Sequence, residues 1–127
     1  MKLLELILIR KLKKKNAEFR VIKDGKFDRV EIAVNTEKRF IIGITFRNGY
    51  ACFDVSLADA IYERRNDNFE QMNKIHTYFE FLRLSIKDGK IKVKTECHFA
   101  RFSDVAMCLD RIQYLNTFLI SAYPDFE

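Results

Sequence analysis

Apolar residues recur at two different spacings along this chain, and each change of spacing marks an element. From Leu3 to Lys15, Leu4, Leu8 and Leu12 stand four apart with Ile9 beside them among strong helix formers, which predicts a helix. Its first turns are apolar on nearly every side, so a short strand at Leu6 to Ile9 is the alternative. From Phe19 the pattern alternates. Asp24-Gly25 divides two short extended runs, and the second carries Val30, Ile32 and Val34 on one face. Phe40, Ile42, Ile44 and Phe46 then share a face, and Arg47-Asn48-Gly49 leads into the run from Tyr50 to Val55. Asn-Gly between alternating runs is a strong hairpin signal, because both central residues adopt positive φ at little cost.

Ser56 is placed to cap a short helix through Leu57, Ala60 and Ile61, which Asn66-Asp67-Asn68 interrupts; Phe69, Met72 and Ile75 form the stripe of a second helical stretch. The period returns to two at Leu82, Leu84 and Ile86. Asp88-Gly89 makes the turn, and Ile91, Val93, Thr95 and Cys97 alternate with Lys92, Lys94, Glu96 and His98. A long final helix is expected from Ser103, as its cap, to about Tyr123, where Pro124 stops it. Val105, Cys108, Leu109, Ile112, Leu115 and Leu119 form its buried stripe, and Phe118 falls partly off it. The expected fold is therefore α+β: a mainly antiparallel sheet of hairpins with N-terminal, central and long C-terminal helices packed on it. No linker, repeat or low-complexity run divides residues 1–127, so one domain is expected.

Charge changes this picture at one place. Residues 1–26 hold nine Lys/Arg against Glu5, Glu18 and Asp24, whereas the rest of the chain is close to neutral, although the net charge is +5. A basic N-terminal segment on a neutral body argues against a domain-wide nucleic-acid footprint. The solvent face of the last hairpin adds Arg83, Lys87, Lys92 and Lys94, but none of the aromatics that stack on bases in RNA-binding sheets. Cys52, Cys97 and Cys108 are odd in number, widely spaced and set among apolar neighbours, which points to a reducing, cytoplasmic location. The basic residues follow the first apolar run instead of preceding it, unlike a signal peptide, and no run reaches the length of a membrane span.

Candidate chemistry is sparse. Glu96-Cys97-His98 is the only local cluster of metal-binding types, and strand geometry puts Cys97 on the face opposite the other two. Cys97 and Cys108 approach one another if the last helix packs on the last hairpin, with His76 or His98 as a third donor; buried small hydrophobes are the simpler reading. No elbow-like or glycine-rich loop accompanies a cysteine, and Gly25, Gly43, Gly49 and Gly89 form no phosphate cradle. Asp54, Asp59 and Glu63 could line a cleft, but Arg64 and Arg65 make that stretch read as a solvated face. No catalytic residue, metal site or cofactor is expected.

The segment from Met72-Asn73 through the Leu82 to Cys97 hairpin into the Ser103 to Tyr123 helix resembles the C-terminal half of YbjN-like proteins. These look like class I type III secretion chaperones, whose order is α-β-β-β-α-β-β-α. The resemblance implies a non-enzymatic, chaperone- or regulator-like domain, often dimeric, that binds another protein through apolar patches. This chain departs from the pattern in its basic charge and its extra early hairpin. The candidate contact residues are Leu4, Leu8 and Leu12 on the first helix and Phe118 and Ile120 on the last. Lys11, Lys13, Lys14 and Lys15 read first as the solvated cationic end of a helix, which complements its macrodipole, and second as an electrostatic contact with an acidic protein, a phosphate backbone or anionic lipid. A protein partner or second copy is favoured over nucleic acid or anionic lipid. The alternatives are a toxin-neutralising immunity protein and a small enzyme whose cleft the sequence does not advertise.

Overall fold

A computed structural model of the chain describes residues 2–24, 27–59, 73, 79–87 and 89–122. The first element is helix α1, Leu3–Lys14. Glu5 closes its N-terminus by accepting a hydrogen bond from the Lys2 N–H at 2.7 Å. Its C-terminus ends on Asn16, at φ 56°, with the Asn16 N–H bonded to the Lys13 carbonyl and the Ala17 N–H to the Leu12 carbonyl. That is the Schellman arrangement, with asparagine in the left-handed position that glycine usually fills. The strand alternative at Leu6 to Ile9 is thereby excluded.

Four strands follow as an antiparallel meander: β1 (Phe19–Asp24), β2 (Phe27–Asn35), β3 (Arg39–Arg47) and β4 (Tyr50–Asp59). Asn48 and Gly49 both have positive φ between the closing pair Arg47↔Tyr50, as the Asn-Gly signal required. The hairpin of β5 (Arg83–Lys87) and β6 (Lys90–His98) then adds to β4 through β6, giving the order β1-β2-β3-β4-β6-β5 with every pairing antiparallel. Helix α2 (Asp104–Thr117) continues into a π turn, Phe118–Ala122.

Alternation sorts the strands into two faces. Val30, Ile32, Val34, Phe40, Ile42, Ile44, Phe46, Ala51, Phe53, Val55, Leu57, Leu84, Val93 and Cys97 are buried on one face, and they form a single core with Leu8, Ile9 and Leu12 of α1 and Val105, Cys108, Ile112 and Leu115 of α2. Burial of this apolar surface is the main stabilising term. The other face is open and polar.

Three expectations are corrected. Ser56 caps no helix, because β4 runs on to Asp59 through a bulge between Ser56 and Ala58; the bulge leaves Leu57 turned into the core. Ser103 makes no side-chain cap; instead the Asp104 carboxylate accepts from the N–H groups of Ala100 and Arg101, each at 2.9 Å. Phe118 lies fully in the core beside Leu119, because the wider π turn changes the angular step and brings both residues inward. The described residues form two α-helices; the central helix expected from Phe69, Met72 and Ile75, and the positions Ala60 and Ile61, lie outside them.

Candidate binding groove at the free end of β6

The unequal lengths of β5 and β6 create the feature of interest. β5 begins at Arg83, opposite Lys94, whereas β6 continues to His98. Lys87 and Lys90 close a two-residue turn, so they form a hydrogen-bonded pair, and Lys92 and Lys94 share the parity that turns main-chain groups toward β5. Glu96 and His98 have the same parity. The intervening residues turn toward β4, and the Phe99 N–H continues that series with a 2.8 Å bond to the Gly49 carbonyl. The N–H and C=O of Glu96 and His98 therefore face the lane that β5 leaves empty, and no described residue bonds them.

A groove of about 900 Å³ runs along this edge. Its inner wall is α2, with Asp104, Met107 and Arg111, and its end wall is the turn carrying Glu80 and Phe81. Arg111 is fixed twice: it donates to Thr95 Oγ1 at 2.7 Å, and its guanidinium lies 4.3 Å from the centre of the Phe81 ring. Phe81 meets Tyr114 edge to face, and Phe79 does the same against Tyr114 and Phe118, so the turn is anchored on α2. Phe81 and Met107 are nevertheless 49% and 51% exposed. These open apolar side chains lie next to main chain that no described residue pairs.

On the open face the rim of the groove is polar. Arg47, Tyr50 and His98 lie in one cross-strand row, with the Tyr50 and His98 rings 4.8 Å apart, and Cys52 and Glu96 lie in the next. The open face thus carries an aromatic pair that inspection of the last hairpin alone missed; half of the pair comes from β4. Further along the sheet, Arg29 reaches across Gly43 to hold Asp54 through two bonds of 2.7 and 2.9 Å, and also bonds Glu31. The hydrogen bonds it donates to Asp54 keep the Arg29 guanidinium firmly protonated.

The chain matches no protein-family model, no curated protein and no solved structure.

The structure separates the sequence-derived contact residues into two groups. Leu8, Leu12 and Phe118 are in the core, so as surface residues they are corrected; Leu8 and Leu12 lie on the stripe that α1 packs inward, and the π turn carries Phe118 inward. Leu4 is half-buried, while Ile120 is exposed, as are Leu3 and Leu6, which the four-residue spacing passed over. Lys11, Lys13, Lys14 and Lys15 are exposed, and none pairs with a described acid. Phe81, Met107 and the edge of β6 were not found from the sequence.

Cys97 and Cys108 do approach through the packing of α2 on β6. The Cys108 thiol donates to Cys97, which lowers the Cys97 pKa and raises that of Cys108. His98 points to the opposite face, and His76 lies outside the described residues. No group of three or more metal-binding side chains occurs among the described residues. Burial and the nearby Glu96 raise the Cys52 thiol, the reverse of what activates a nucleophile. Among the described residues no helix is long and apolar enough to cross a membrane.

Proposed function

We propose that this chain is a non-enzymatic protein-binding domain, chaperone- or regulator-like, whose docking surface is the groove beside the free end of β6. The observation that carries the reading is the coincidence, in one groove, of half-exposed Phe81 and Met107 with main chain of Glu96 and His98 that no described residue pairs. Main-chain groups supply affinity for any extended segment, and the apolar wall supplies selectivity. The resemblance to YbjN-like proteins and secretion chaperones points the same way. In this reading the cations of α1, on another part of the surface, raise the encounter rate with acidic partners.

The test is a selection of displayed protein fragments against the wild-type chain, with each enriched fragment then measured against Met107→Asp. Met107 is half exposed, so this change leaves the fold intact. Fragments that bind the groove lose at least tenfold in affinity. Enriched fragments that bind both proteins equally would place the docking surface elsewhere and overturn the proposal.

A further inference from the structure

We infer that the groove takes its partner as an added, antiparallel β-strand with the local order acidic, apolar, basic, an inference that rests on the protein-binding reading above. Among the described residues nothing fills the lane that continues the line of β5, and its main-chain partners are already aimed. A segment entering it antiparallel meets Glu96 and His98 as hydrogen-bonded pairs, each exchanging both N–H···O bonds, while the residue between them stands opposite Cys97. Register then decides which way each side chain points. Residues opposite Glu96 and His98 project with them onto the open face; the residue opposite Cys97 projects inward, toward Met107, Phe81 and Arg111.

The inward position therefore calls for a large apolar or aromatic side chain, which covers Met107 and Phe81 and lies against the guanidinium of Arg111. The two outward positions differ from each other. The row through Glu96 contains Thr45 and Cys52, so a cation is the charge complement there. The position opposite His98 lies beside its imidazole, which is stacked on Tyr50, and a carboxylate there accepts a hydrogen bond from the ring N–H. An antiparallel strand meets His98 first and Glu96 last, which fixes the order acid, apolar, base from its N- to its C-terminus.

The probe is a blocked five-residue peptide, threonine–aspartate–phenylalanine–lysine–threonine, titrated into the full chain and followed by amide NMR. The expected result is that the Glu96 and His98 amides shift most, and that their hydrogen exchange slows at saturation. N-methylation of the lysine amide should weaken binding at least tenfold, because it removes the donor aimed at the Glu96 carbonyl. Exchanging the aspartate and lysine should weaken it severalfold, and replacing phenylalanine by glycine should abolish it. Binding that depends on Met107 but is indifferent to N-methylation and leaves the Glu96 and His98 amides unchanged would overturn strand addition while leaving the protein-binding groove standing. Amide shifts confined to α1, or self-association through the Glu96 edge in place of peptide binding, would overturn the assigned occupant. No binding to the peptide, while selected fragments still depend on Met107, would overturn the acid–apolar–base order.

Discussion

Gly43 shows how a single residue sets the open face. Its φ is not positive, so the backbone does not demand glycine; the space above it does, because a Cβ there would meet the guanidinium of Arg29. The missing side chain lets Arg29 cross β3 and join β2 to Asp54 on β4. Gly43→Ala should therefore displace Arg29 and cost about 1 kcal/mol, the scale of a half-exposed bidentate pair. In an Arg29→Met background, where no guanidinium needs the space, the same substitution should become neutral or stabilising, since alanine orders a strand better than glycine. A double-mutant cycle by chemical denaturation reads this directly; equal costs of Gly43→Ala in both backgrounds would show that the glycine is there for another reason.

At the scale of elements, faces were legible in the sequence and neighbours were not. Alternation placed Val30 to Val34, Phe40 to Phe46, Leu82 and Leu84, and Val93 to Cys97 correctly because one face of each strand is buried and the side-chain period is two. Val93→Asp should accordingly prevent folding: it puts a charge at a fully buried position, costing several kcal/mol against the roughly 5–15 kcal/mol of a whole domain. Circular dichroism would show this as loss of a cooperative melt, and a wild-type melting temperature would refute the assignment. Local spacing failed where a ladder or a non-standard turn overruled it. Ser56 has the chemistry of a cap, but β6 offers nine residues of partner strand and draws it into β4. Phe118, off the 3.6-residue stripe, reaches the core because the last turn is a π turn. The groove was hidden because it arises from β6 outrunning β5 beside α2, a relation between elements that no single stretch of sequence carries.

The whole molecule should be sensitive to acid in a way its salt links dictate. Burial works to raise the Glu31 carboxyl, but hydrogen bonds and charge from Arg20 and Arg29 outweigh it and hold its pKa below the usual value. Hydrogen bonds from Ala100 and Arg101 do the same for Asp104, and Arg39 with Asn35 for Glu18. A folded-state pKa below the unfolded one means stability that is fully present above the unfolded carboxylate range and is lost as pH falls through the lowered values. Stability should thus be flat near neutrality and decline below the ordinary pKa of glutamate, and Glu31→Gln should make that decline shallower. Denaturation midpoints measured across the acid range check it; an unaltered slope in Glu31→Gln would separate the Arg20–Glu31–Arg29 cluster from acid stability.

The position of β6 between β4 and β5 also governs how the chain finds its fold. The meander of β1 to β4 and the β5–β6 hairpin each close through turns between adjacent strands, at small cost in loop entropy. The β4–β6 seam, from Asp59↔Lys90 to Tyr50↔His98, must bring together strands separated by the whole intervening stretch of chain. It is the non-local step, and rates across proteins fall as such steps dominate. Two locally formed sheets joined by one late seam imply a transition state centred on β4 and β6. Until that seam closes, the β4-facing edge of β6 is open to any strand that arrives first.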